Sequence, residues 1–89
     1  MISILFDDIA YVEAQGNYLH IFTPTGTYKT YLSIAELEQK LPPAQFSRIH
    51  RSFLVALNKV KSYNHNHVIV EEKKIPIGRS YTNARKNFM

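Results

Sequence analysis

Alternation along residues Tyr18–Thr23 (YLHIFT) sets Tyr18, His20 and Phe22 on one side of the chain and Leu19 and Ile21 on the other. A period of two is the signature of a half-buried strand. Residues 9–14 (IAYVEA) are rich in β-formers and too few for a helix. Thr23-Pro24-Thr25-Gly26 supplies turn residues, and residues 27–32 (TYKTYL) return as the partner strand of a hairpin. Residues 53–57 (FLVAL) are almost continuously apolar, as a strand covered on both faces would be. Shorter strands are expected at 58–63, 68–70 and 75–77, with Asn64-His65-Asn66 as one turn and a second tight turn within 71–74 (EEKK). Pro76 has no N–H to donate, so the last strand belongs at an edge or pairs on one side only. Residues 80–89 read as a short helix or a frayed tail.

One helix interrupts this pattern. Ser33-Ile34-Ala35-Glu36 matches a capping box, in which hydroxyl and carboxylate each satisfy an orphan backbone N–H. Ile34, Leu37 and Leu41 fall on one face, and Pro42-Pro43 ends the helix after about two turns. Its plain role is to cover the sheet. No second amphipathic stretch lies beside it, which excludes a helix-turn-helix. The chain therefore reads as mostly β: small antiparallel sheets with one short helix, in a single domain over residues 1–89.

Eighty-nine residues lie near the lower end of what buries an adequate core without disulfides or metal, and there is no cysteine to supply either. No apolar run approaches the roughly 20 residues that span a bilayer, and nothing resembles a signal peptide. The expectation is a cytoplasmic module without a membrane partner. The net charge of +4 hides an asymmetry. Residues 1–40 hold five acids (Asp7, Asp8, Glu13, Glu36, Glu38) against Lys29 and Lys40, a net of −3. Residues 41–89 hold Glu71 and Glu72 against nine bases (Arg48, Arg51, Lys59, Lys61, Lys73, Lys74, Arg79, Arg85, Lys86), a net of +7. Such a half suits a polyanion, although many basic surfaces are merely solvated.

Catalytic chemistry finds little here. His65-x-His67 could set two imidazoles on one side of a strand, but zinc wants three or four close ligands, and turn histidines in water are the plainer reading. Ser47, Ser52 and Ser80 sit near bases or histidine, yet no glycine-flanked elbow appears and no acid is placed to orient His50. Three glycines are too few for a phosphate-cradling loop. The expectation is no enzyme, no metal and no cofactor.

Three segments carry groups suited to nucleic acid. Gln15-Gly16-Asn17-Tyr18 is a polar turn with amides and a glycine. Residues 48–52 (RIHRS) hold two guanidiniums, an imidazole and a hydroxyl directly before the core strand. Gly78-Arg79-Ser80-Tyr81 repeats that chemistry at the end of the last strand. Arginine forks pair with guanine edges or phosphate, and hydroxyls are typical phosphate contacts. The alternatives are a generic hairpin loop at 15–17, Arg48 or His50 turned inward to bond a carbonyl, and Arg79 and Tyr81 packed along an apolar edge.

The order Asp8-Ile9-x-Tyr11-Val12-Glu13-Ala14-x-Gly16-Asn17-Tyr18, a capped short helix, Phe46-x-Arg48-Ile49-His50-Arg51-Ser52-Phe53-Leu54-Val55 and Ile75-Pro76-Ile77-x-Arg79-x-Tyr81 resembles the LytTR DNA-binding domain, the output domain of bacterial two-component response regulators. The resemblance implies an elongated all-β fold whose loops, not a helix, enter successive major grooves of double-stranded DNA. Carried over, the contacts are Asn17 and Tyr18, then His50 and Arg51, then Arg79 and Ser80, with Arg48, Ser52 and Tyr81 beside them. It also implies two copies on a direct-repeat site and a receiver domain in the full-length protein. Family members carry a further strand before the D-I-x-Y-V-E-A segment, so the first strand and the receiver are expected to be absent from residues 1–89. Two other functions are open: a β module binding a small phosphorylated ligand such as a nucleotide, with Arg48 and Arg51 as an anion clamp, and a β-edge protein-interaction module.

Overall fold

Eight short strands and one helix form two antiparallel sheets in a computed structural model, which describes residues 6–82. The strands are β1 (Tyr11–Gln15), β2 (Tyr18–Thr23), β3 (Gly26–Thr30), β4 (Phe46–His50), β5 (Phe53–Ala56), β6 (Val60–Tyr63), β7 (His67–Val70) and β8 (Lys73–Pro76), with α1 at Ile34–Lys40 between β3 and β4. Residues 1–5, where the sequence leaves too little length for the family's further strand, and the tail from residue 83 lie outside the described residues. Principal extents of 38 × 23 × 21 Å make the shape elongated.

The larger sheet runs β3-β2-β1-β5-β4 and the smaller β6-β7-β8. Alternation sorts the side chains of the larger sheet onto two faces. Val12, Leu19, Ile21 and Leu54 pack with Ile34, Leu37 and Leu41 of the helix side. Tyr11, Ile49 and Val55 pack with Val68, Val70 and Ile75 of the smaller sheet. The larger sheet is thus the middle layer, which is why residues 53–57 are apolar at almost every position.

Local chemistry explains the punctuation. Ser33 Oγ accepts from the Glu36 N–H at 3.1 Å, and Glu36 Oε1 accepts from the Ser33 N–H at 3.3 Å, so the capping box is complete. Pro76 lies on β8, an edge strand, where its missing N–H interrupts no ladder. Burial, with a smaller push from the Glu13 carboxylate, raises the Tyr11 phenol above its ordinary pKa of 10.0.

One strand departs from expectation. Residues 48–52 do not form a loop: β4 runs through His50, and the turn to β5 is confined to Arg51 and Ser52. Ser47, Arg48 and His50 break the apolar alternation that would announce a strand, and the register slips between Arg48 and His50. An edge strand tolerates both features, because its outer side meets water.

Strain is visible at one turn. Glu71 and Glu72, between β7 and β8, take φ of 51° and 69°, the left-handed region that a two-residue hairpin turn requires and that Asn-Gly fills best. Such a conformation costs an ordinary side chain roughly 1–2 kcal/mol per residue. The double substitution Glu71→Asn/Glu72→Gly should therefore stabilise the fold by about 1 kcal/mol, raising Tm by about 4–8 °C for a domain of this size. Thermal unfolding followed by circular dichroism checks this; an unchanged or lower Tm would contradict the turn geometry.

Candidate nucleic-acid interface

The three polar segments meet at one end of the middle sheet. β1 pairs with β2 through Gln15 opposite Tyr18, leaving Gly16 and Asn17 as the turn, with Gly16 at φ 58°. β1 also pairs antiparallel with β5, Glu13 opposite Phe53, so the β4–β5 turn emerges at the same end. The Ala14 N–H donates to the Ser52 carbonyl at 2.8 Å and ties the two turns together. The Gly78 N–H donates to the Ile49 carbonyl at 2.8 Å and docks the segment after β8 beside the end of β4. The Tyr81 N–H then donates to the Gly78 carbonyl at 2.9 Å, within a 3-10 turn over residues 79–82.

The irregularity in β4 decides which way His50 faces. Arg48 lies opposite Leu54, on the helix side, whereas His50 lies opposite Phe53, on the side of the smaller sheet. An uninterrupted strand would have returned His50 to the helix side. Instead its ring stands edge-on to Phe53 at 5.4 Å between centroids. His50 Nδ1 accepts from the Ser52 N–H at 3.1 Å. In the neutral ring that bond leaves Nε2 as the protonated nitrogen, a donor. Gly78 passes so close that a Cβ there would sit 3.3 Å from His50 Cδ2 and 3.2 Å from Tyr81 Cδ2. Any larger residue there would press on both rings, which would have to shift by a few tenths of an ångström.

Arg48 is turned inward. Its Nε donates to the His50 carbonyl at 3.2 Å, Nη2 to the Arg51 carbonyl at 2.7 Å, and Nη1 to Glu38 Oε1 at 3.1 Å. The guanidinium also lies 5.7 Å from the centre of the Tyr81 ring. One side chain thus joins α1, the β4–β5 turn and the last segment. Glu38, ten residues away on the helix, has no local signal in the sequence as its partner. Arg51 and Arg79 are exposed and their guanidiniums have no partner among the described residues. With His50, Gly78, Ser80 and Tyr81 they line an open cleft of about 250 Å³. Asn17 is exposed on the neighbouring turn, and Tyr18, half-buried, stacks on His20 at 5.1 Å. β2 and β4 stand three strand spacings apart, roughly 14 Å. Among the described residues, no three metal-ligating side chains come together around His65 and His67.

The LytTr DNA-binding domain family model matches residues 1–89. The chain is 30% identical over 95 residues to the sensory transduction protein LytT of Bacillus anthracis, covering 100% of this chain and 39% of that protein. It is 31% identical over 90 residues to the transcriptional regulatory protein YpdB of Escherichia coli strain K12, covering 93% of this chain and 37% of that protein. The chain thus spans less than two fifths of the length of these two relatives. A solved LytTr DNA-binding domain from Bacillus cereus superposes with a TM-score of 0.85 at 26% identity, over 98% of this chain and 85% of that one. The mostly β fold with one helix is the fold of that domain.

Arg48 generates a stability prediction. Arg48→Ala removes three hydrogen bonds from a side chain that is 17% exposed and should destabilise the fold by about 2 kcal/mol. Glu38→Gln removes only the ion pair, whose carboxylate side is 44% exposed, and should cost under about 0.5 kcal/mol. Urea unfolding of both variants makes the comparison; equal losses would show that the carbonyl bonds contribute little.

Proposed function

The chain belongs to the LytTr DNA-binding domain family, and from that premise we propose that residues 1–89 act as the sequence-reading output unit of a bacterial response regulator. What carries this reading is that two guanidiniums with no partner among the described residues, Arg51 and Arg79, stand beside His50 at one end of a stiff sheet, on turns with no recognition helix among them. Arg51, Arg79, His50 and the Asn17 amide read base edges in the major groove, each good pair contributing roughly 1–3 kcal/mol of discrimination. The hydroxyls of Tyr18, Ser52, Ser80 and Tyr81 meet phosphate and fix the register.

Arg48 takes a different part from Arg51. Its donors are committed to Glu38 and to the carbonyls of His50 and Arg51, so it positions the reading turn instead of contacting DNA. The same commitment counts against a small phosphorylated ligand clamped between Arg48 and Arg51, since three of Arg48's donors are already engaged. The full-length protein carries a receiver domain and acts in the cytoplasm, two copies occupying a direct repeat. The LytT and YpdB relatives, themselves a sensory transduction and a transcriptional regulatory protein, support that setting.

Phosphate neutralisation makes affinity fall steeply with salt, whichever sequence is bound. Arg51→Ala should weaken binding to a duplex selected from a random pool by about 10- to 100-fold, the loss of one good base pairing or somewhat more. Binding to a scrambled duplex should change far less, and Tm should hold. Fluorescence anisotropy on both duplexes measures the difference. Equal losses on the two would assign Arg51 to phosphate, and no salt-dependent binding to either would end the reading.

A further inference from the structure

The middle sheet presents one more strand at this end than base reading needs. β3 finishes at Thr30, opposite Leu19, so Tyr31 emerges level with Tyr18 and with the turn that holds Asn17. Tyr31 is 75% exposed, more than any other large hydrophobic residue described. Its ring stands edge-on to Tyr18, centroids 6.0 Å apart and planes at 72°. Lys29 lies opposite His20, yet its ammonium is 4.5 Å from the centre of the Tyr18 ring, so the side chain leans along the strand towards the same end. Lys29 is also the only lysine or arginine in residues 1–39. Tyr18 therefore props an ammonium and an exposed phenol side by side.

Width says what these groups meet. From β3 to β4 the sheet end spans four strand spacings, roughly 19 Å. The major groove is about 12 Å wide. If the β4 end lies in the groove, the β3 end stands over the bounding phosphates. An ammonium and a tyrosine hydroxyl suit a phosphodiester and carry no sequence code. Tyr18, Tyr31 and Asn17 also line an open cleft of about 440 Å³ that runs to the start of α1. The cleft is also lined by Glu36, an exposed residue whose carboxylate accepts from the Ser33 N–H, so an anion is favoured beside Lys29 and Tyr31 and not beside Glu36.

We infer that Lys29 and Tyr31 form a backbone clamp for the DNA strand flanking the groove, with Lys29 neutralising one phosphate and the Tyr31 hydroxyl bonding its neighbour. The inference rests on the proposed function and extends its footprint by one strand of the sheet. Anisotropy titrations over a KCl series, with the selected and the scrambled duplex, test it on the 89-residue chain. Lys29→Gln should flatten the slope of log K against log[KCl] by about 0.9, one phosphate, and weaken binding about fivefold near 0.15 M salt, equally on both duplexes. Tyr31→Phe should weaken both complexes with the slope unchanged. If Lys29→Gln keeps the full slope while Arg51→Ala still loses the selected duplex, the clamp is wrong and the proposed function stands. If neither the parent chain nor the variants bind with any salt dependence, both are wrong.

Discussion

The pairing of β1 with β5 is the constraint on which the rest of this structure depends. It joins two hairpins separated by the helix, and its antiparallel register brings the β1–β2 and β4–β5 turns to one end. Val12 and Leu54 face each other on one side, Tyr11 and Val55 on the other, and all four are buried. Slipping the register by one residue would carry each of these side chains to the wrong layer, so the alignment of the turns is held by burial on two faces. The Ala14–Ser52 hydrogen bond carries the ladder one step further, into the turn itself. Position at this end of the sheet is thus paid for in the core.

What stands on this frame divides into holding and reaching groups. Arg48 and Gly78 hold: one bonds two carbonyls of the neighbouring turn and an acid on α1, the other allows the last segment to lie against His50. Arg51, Arg79 and Asn17 reach, with no competing partner among the described residues and with exposure to solvent. Long, flexible guanidiniums projecting from short fixed turns lose less freedom on binding than they would from mobile loops. The irregularity in β4 belongs with the holding devices, since it swings His50 to the side where Gly78 and Tyr81 lie.

Much of the scaffold was legible before any coordinates. The alternation over Tyr18–Thr23 matches β2 residue for residue, Ser33 to Glu36 closes the expected capping box, and Pro76 sits on an edge strand. These are short-range signals, written within a few residues of where they act. β4 was not legible, because its polar residues obey the needs of an edge and a bulge rather than a simple period. Nor was the partnership of Arg48 with Glu38, which depends on how α1 lies across the sheet. The convergence of the Asn17, Arg51 and Arg79 segments is long-range as well, and only the resemblance to the LytTR family anticipated it. Lys29 and Tyr31 escaped notice because a lysine and a tyrosine on a strand are unremarkable until their neighbours are known.

The central claim is that one end of the middle sheet is the working end. Amide chemical shifts, followed by nuclear magnetic resonance as a selected duplex is added, test it most directly. The changes should concentrate at residues 15–18, 29–31, 50–53 and 78–81, with the opposite end, at Pro24–Thr25 and Glu71–Glu72, nearly silent. Changes centred on that opposite end, or spread evenly over both sheets, would contradict the account.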